Sequence, residues 1–194
     1  MTENPLLQPE DTMKMKKHAA VLENCGKAVF ALSILLMLVQ CREPKKPVKV
    51  RTYTTATVGF DTLAHREQVY VPIYSEIYYS GEDQYFALLT TLSVRNTSMT
   101  DSMYVNTADY YDTHGKKLKP YLTRTIALAP LETVEFAVNY TGGGGSGANF
   151  IVEWGAAQNN LKPMIQSVMI GTAYNQGISF VSGGVTIGVK ETGK

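Results

Sequence analysis

The residues best suited to recognition lie in one aromatic run, VYVPIYSEIYY, at residues 69–79. As a β-strand, this run would direct its aliphatic side chains to a core and its tyrosines to the opposite face, because successive side chains alternate. The residues on that second face are Tyr70, Tyr74, Glu76 and Tyr78. Tyrosine offers a large contact area at low entropic cost, which suits a face that binds a protein or a glycan. The alternative is that a second sheet or the N-terminal segment covers these rings.

A second candidate lies in GTAYNQGIS, residues 171–179. Asn175, Gln176 and Ser179 carry hydrogen-bonding groups, and Gly177 permits a tight turn between them. Such a loop could bind a small polar ligand. The same residues are equally typical of a well-specified hairpin turn that binds nothing.

The glycine run GGGGSG at residues 142–147 contains the spacing GxGxxG, which in nucleotide-binding proteins lies between a strand and a helix. Here a second strand pattern follows instead, and Ser167 occupies the position where an acidic residue is expected. Ser146 lacks the GxSxG spacing of a hydrolase nucleophile. We therefore expect no nucleotide cofactor, and a hairpin loop is the simplest interpretation of this run.

The titratable side chains do not form a catalytic or metal-binding set. His65 and His114 occur in polar, turn-like contexts without a nearby cysteine, which predicts solvated surface histidines. Asp109 and Asp112 are three residues apart and would face opposite sides of a strand. The sequence predicts no catalytic residue, metal or cofactor. The alternative is a weak hydrolase that uses the tyrosine face or the 171–179 loop.

An apolar run, AVFALSILLMLV at residues 28–39, follows several lysines, which is typical of a secretory signal peptide. It is shorter than the roughly 20 apolar residues that a membrane-spanning helix needs. Translation from Met13 or Met15 would give a signal peptide of more ordinary length. We expect residues 1–40 to be the signal peptide.

The residues LVQC at 38–41 resemble the lipobox of bacterial lipoproteins, with Gln40 where that motif usually has a small residue. The resemblance implies that Cys41 is diacylated and anchors the protein to a membrane. Ordinary signal cleavage that leaves a free Cys41, or an uncleaved anchor, are the alternatives. Residues 41–65 would then form the tether, since their first part, REPKKPVKV, is rich in proline and lysine.

Composition limits the remaining possibilities. The chain has 194 residues, of which 44% are apolar, enough for one domain with a substantial core. Its formal net charge is +1, so no basic surface for nucleic acid is indicated. The two cysteines, Cys25 and Cys41, both lie in the N-terminal part of the chain, which excludes a disulfide-stapled scaffold.

Residues 66–190 show the period of two that is typical of β-strands. The clearest cases are YFALLTTLSV, TVEFAV and NFIVEW, in which every second residue is apolar. About eight such strands without intervening helices predict one antiparallel β-sandwich or small barrel. Trp154 lies on the inward face of its strand and is most simply a core residue, with a ligand-lining role as the alternative.

Several segments together resemble an uncharacterised bacterial family, domain of unknown function 3124. They are VYVPIYSEIYY, LSVRNTS, ADYYDTHGK, SGANFIVEW and GTAYNQGISFVSGG, within residues 66–184. The resemblance implies an export or lipoprotein signal and assigns no activity. A looser likeness, in VRNTS, YYDTHGK and LAPLETVEF, to immunoglobulin-like modules of bacterial envelope proteins implies an immunoglobulin-like β-sandwich.

Together these observations predict a lipid-anchored protein of the bacterial cell envelope that faces the periplasm or the exterior. Its β-sandwich would be a binding or structural module and not an enzyme. The expected partners are the membrane, through the N-terminal anchor, and an envelope protein or a glycan. The alternative is a glycan- or small-ligand-binding domain that uses the Tyr70, Tyr74 and Tyr78 face or the 171–179 loop.

Overall fold

A computed structural model describes residues 52–138, 143–173 and 176–191, together with Leu22, Lys27 and Phe30. The chain divides into two compact units, Met1–Val50 and Arg51–Lys194. In the first unit the three described residues are helical and exposed. The part of the chain that the structure describes contains no helix that is long and apolar enough to cross a bilayer.

The second unit is all-β, and its sheets are antiparallel. Its described residues form thirteen strands and one short 3₁₀ helix, Phe60–Thr62. The strands are β1 (Thr54–Thr55), β2 (His65–Pro72), β3 (Glu76–Tyr78), β4 (Tyr85–Ala87), β5 (Leu89–Arg95), β6 (Met103–Tyr111), β7 (Lys117–Pro120), β8 (Ile126–Leu128), β9 (Thr133–Val138), β10 (Asn149–Ala156), β11 (Met164–Ala173), β12 (Gln176–Gly183) and β13 (Val185–Glu191).

These strands form two large sheets and a separate hairpin. The first sheet has the order β1-β8-β6-β10-β2-β13, with β7 paired to β6, and the second has the order β12-β11-β5-β9. β3 and β4 pair only with each other. The hydrophobic core draws on both large sheets, with Val71 and Phe150 from the first and Leu92 and Phe136 from the second.

The alternation in the sequence explains these strands. In β9 the buried residues are Val134, Phe136 and Val138, and in β10 they include Phe150, Val152 and Trp154. This confirms the inward faces that the sequence predicts. The expected number of about eight strands was too low, because β1, β3, β4, β7 and β8 have only two to four residues and show little alternation.

The glycine run does not form a hairpin loop. It joins β9 in the second sheet to β10 in the first, so it is a connection between sheets. Gly144 is buried, and a Cβ atom there would overlap the Tyr110 hydroxyl. Thr113 Oγ1 donates a hydrogen bond to the Gly144 carbonyl (2.9 Å), and Ser75 Oγ accepts one from the Gly145 amide (2.9 Å). A glycine is required because the backbone lies directly against an aromatic ring.

Candidate functional site

The β3–β4 hairpin, residues 76–87 and called here the aromatic hairpin, presents three tyrosines to solvent. Tyr78, Tyr79 and Tyr85 are 54%, 57% and 48% exposed. The Tyr78 and Tyr85 rings lie with centroids 4.8 Å apart, and Tyr79 contacts Phe86 edge-to-face at 6.4 Å. The register explains the first contact, because Tyr78 is the direct cross-strand partner of Tyr85. The rings are therefore held by one another and remain accessible.

The aromatic hairpin carries negative charge. The chain has no Lys or Arg between Arg66 and Arg95, whereas Glu76, Glu82 and Asp83 lie on or between the two hairpin strands. A hydrogen bond with Tyr78 raises the pKa of Tyr85, and the charges of Tyr78 and Glu76 raise it further. The hairpin thus combines accessible rings with acidic groups, a combination that attracts cationic side chains.

The structure separates the tyrosines that the sequence placed on one strand. Tyr70 is half-buried in β2, whereas Tyr78 lies in β3, since β2 ends at Pro72. Tyr74 lies between these strands, half-buried, with its ring edge-to-face against Phe180 at 5.8 Å. Ser75, buried at the turn, donates a hydrogen bond from Oγ to the Gly145 carbonyl (3.1 Å). Only Tyr78 of the three is exposed, and Glu76 beside it is half-buried.

The 171–179 segment forms the closed end of the β11–β12 hairpin, in which Ala173 pairs with Gln176. Asn175 lies outside the described residues, as does the side chain of Gln176. Ser179 is exposed and pairs with Ile170. Cys41, the predicted lipidation site, also lies outside the described residues.

A cavity of 430 Å³ that the sequence did not reveal lies between the first sheet and the start of β11. Its wall includes Glu67, Val69, Trp154, Leu161, Lys162, Ile165, Gln166 and Thr186. Its volume falls in the range of small-molecule sites, roughly 300–1,000 Å³. We call it the Trp154 cavity.

Two buried rings and a carboxylate form the polar part of this region. Trp154 and His65 are 1% and 6% exposed, and their ring centroids are 5.3 Å apart. His65 Nε2 donates to Glu67 Oε1 (2.8 Å), and Thr186 Oγ1 donates to Glu67 Oε2 (3.0 Å). Within the described part of the chain, neither Trp154 Nε1 nor His65 Nδ1 has a hydrogen-bond partner.

The prediction that His65 is a solvated surface residue was therefore wrong, whereas His114 is exposed as expected. The physical reason is position, because His65 and Glu67 share the inward alternation of β2 with the buried Val69 and Val71. That alternation was the available signal, namely two polar residues in register with a core face. Among the described residues no group of three or more His, Cys, Asp or Glu could hold a metal ion.

The described part of the chain is therefore all-β with antiparallel sheets, and it carries an exposed aromatic hairpin and a partly polar cavity. The chain belongs to the family described as "Protein of unknown function (DUF3124)", which matches residues 66–187. The family that the sequence resembled is thereby confirmed.

Comparison with solved structures finds one titled "Crystal Structure of Thermotoga maritima 1070". It shares 11% sequence identity with this chain at a TM-score of 0.34, over 61% of this chain and 92% of that chain. A likeness of this extent carries no inference about fold or function. No curated protein matches the sequence.

Proposed function

We propose that this protein is an exported, lipid-anchored module of the bacterial cell envelope that binds a protein partner through its aromatic hairpin. The order of lysines, apolar run and cysteine at residues 14–41 supports export and anchoring at Cys41. The two antiparallel sheets around one core support an immunoglobulin-like β-sandwich, an architecture common in cell-surface domains.

The observation that carries the binding role is the exposure of three tyrosines on one small hairpin. Exposed aromatic rings of this kind are enriched at the centres of protein interfaces. The rings already contact each other, so less side-chain entropy is lost when a partner binds. Binding and not catalysis is the role that these residues support.

The partner is a protein segment that presents Lys or Arg side chains. Glu76, Glu82 and Asp83 favour such a segment electrostatically, and tyrosine faces favour it through cation–π contacts. A neutral glycan would stack on the rings and donate hydroxyl hydrogen bonds to the acidic side chains, but it carries no charge for them to attract. The charge of the hairpin therefore distinguishes the two kinds of partner.

A crosslinking experiment followed by direct titration tests the partner. A photoreactive amino acid at position 79 of the full chain, in its native membrane, should crosslink one envelope protein, and the purified pair should then bind in solution. Tyr78→Ser combined with Tyr85→Ser should weaken that binding at least about tenfold, as loss of an interface aromatic does. Met99→Ser, at another exposed apolar residue, is the matched control and should leave binding unchanged.

Charge reversal decides the chemistry of the partner. The double variant Glu82→Lys with Asp83→Lys should also bind the partner more weakly than the parent protein does. Added salt should weaken binding by the parent protein. An affinity that changes neither with charge reversal nor with salt would contradict a basic partner. A titration in which only soluble glycans bind the hairpin would replace the protein partner with a sugar.

Anchoring is tested separately by intact mass and detergent partitioning of the protein from its native membrane. The parent should begin at Cys41, carry acyl mass and enter the detergent phase, whereas Cys41→Ser should not. An unacylated parent in the aqueous phase would contradict the anchor and indicate a diffusing secreted domain.

A further inference from the structure

The Trp154 cavity differs from the aromatic hairpin because its polar groups line a concave space between the first sheet and the start of β11. Glu67 lies on the inward face of β2, where the neighbouring inward residues Val69 and Val71 are buried. Its hydrogen-bond donors are His65 and Thr186, and within the described residues its one ion-pair partner is that histidine. With 21% of its side chain exposed, this carboxylate loses part of its hydration, and among the described residues no Lys or Arg pairs with it.

Trp154 is a second residue of the same region whose polar group is buried. It lines the cavity, it is 1% exposed, and its indole N–H has no hydrogen-bond partner among the described residues. Buried indole N–H groups normally find an acceptor, because leaving one unpaired costs roughly 1–3 kcal/mol. The Trp154 ring borders the cavity, so a molecule bound there would contact the ring and change its signals.

The other residues that line the cavity determine which shape and charge a bound molecule can have. Val69, Leu161 and Ile165 are buried and apolar, while Lys162 brings a positive charge to the cavity lining. A simple cation would meet Lys162, a simple anion would meet Glu67, and a neutral apolar molecule would desolvate both without compensation. A molecule with one charge of each sign and a hydrocarbon body avoids all three penalties.

We propose that the Trp154 cavity binds a small, free zwitterionic ligand of the apolar amino acid class. Its ammonium group contacts Glu67, its carboxylate contacts Lys162, and its hydrocarbon side chain packs on Val69, Leu161 and Ile165. This site is independent of the aromatic hairpin, so either proposal can fail without the other.

The chain provides its own probe, because Trp154 is its only tryptophan. Binding can therefore be followed on the full-length protein in detergent by tryptophan fluorescence and by the single indole N–H signal in a heteronuclear NMR spectrum. The probes share one hydrocarbon body: L-leucine carries both charges, L-leucinamide only the cation and N-acetyl-L-leucine only the anion. Glycine carries both charges without the body.

We expect L-leucine to bind more tightly than the other three probes and to shift the indole signal. Glu67→Gln should weaken L-leucine and L-leucinamide about tenfold and spare N-acetyl-L-leucine, because a charge-assisted hydrogen bond is lost. Lys162→Gln should weaken L-leucine and N-acetyl-L-leucine and spare L-leucinamide. Glu153→Gln is the matched control, because Glu153 lies on the neighbouring strand and does not line this cavity.

Three outcomes would overturn the proposal: no probe perturbs Trp154, a singly charged probe binds at least as tightly as L-leucine, or glycine binds equally well. Circular dichroism checks that Glu67→Gln is folded. If that variant does not fold, the exposed Lys162 still gives the decisive comparison between the probes.

Discussion

The two ends of strand β10 differ, because the Phe150 end packs in a closed part of the core and the Trp154 end borders a cavity. At one end, the ring centroid of Phe150 lies 5.3 Å from that of Tyr110 and 5.2 Å from that of Tyr121. The backbone of Gly144 covers Tyr110, so this end is closed. At the other end, Trp154 contacts His65 and borders a cavity of 430 Å³.

Both ends obey the same pattern of inward residues, so the strand itself does not decide which end is open. The difference comes from the segments that cover the ends. A glycine-rich connection can approach a ring closely enough to exclude water. The segments beside Trp154 instead bring Lys162 and Thr186 to the cavity wall. The closed end should therefore dominate stability and the open end should tolerate polar substitutions.

The largest expected effect is at the closed end. Phe150→Ala should lower the free energy of unfolding by about 3–5 kcal/mol, because a fully buried ring leaves a cavity that its neighbours fill only in part. Ile151→Ala, at the half-buried next residue, should cost less than half as much. Urea unfolding measures both. Equal losses at the two positions would contradict the sealed aromatic cluster.

The second prediction concerns the glycine that covers Tyr110. Gly144→Ala should destabilise the protein by about 1–3 kcal/mol, since the added methyl group overlaps the Tyr110 hydroxyl and forces the connection away. Gly183→Ala is the control, because a Cβ atom there meets nothing within 4 Å. A Gly144→Ala protein as stable as its parent would show that the connection does not rest on this ring.

The third prediction is a loss of stability in alkali. Burial raises the pKa of Tyr110 above 10.0, partly offset by the nearby Ser75 hydroxyl, and burial and the charge of Tyr110 raise the pKa of Tyr121. Above pH 10 the unfolded tyrosines lose protons that the folded ones retain, so stability present at lower pH falls as pH rises towards the folded pKa.

The slope for each such tyrosine stays below about 1.4 kcal/mol per pH unit, which is the limit for a single proton. Urea unfolding at a series of alkaline pH values measures it, and Tyr110→Phe should flatten it. An unchanged slope in that variant would mean that Tyr110 does not control the alkaline transition.

The parts of the fold that the sequence predicted share one property, which is local alternation. The buried faces of β9 and β10 could be predicted because each has three or more inward apolar residues, and that of β5 because Leu92 and Val94 alternate on it. The break at residues 73–75 could not, because YVPIYSEIY continues the same alternation through the turn. Tyr70 and Tyr78 were therefore placed on one face although the chain turns between them.

The Trp154 cavity was beyond sequence reasoning for a different reason. Its wall combines Glu67, Trp154 and Thr186, which are separated by many residues and brought together by the pairing of β2 with β10 and β13. His65 was misjudged because its neighbours in sequence are polar, whereas its neighbours in space include Trp154. Burial at a sheet end depends on the covering segments, which local patterns do not describe.

The smallest expected effect is at the open end. Glu67→Gln should lower the free energy of unfolding by about 0.5–1.5 kcal/mol, because the amide carbonyl still accepts one of the two hydrogen bonds that the carboxylate accepts. The comparison with Phe150→Ala under the same denaturant conditions is the measurement. A decrease in the free energy of unfolding as large as that of Phe150→Ala would mean that this carboxylate is essential for stability. A small loss would show that the fold does not require a charge at this inward position, as expected if a ligand uses it.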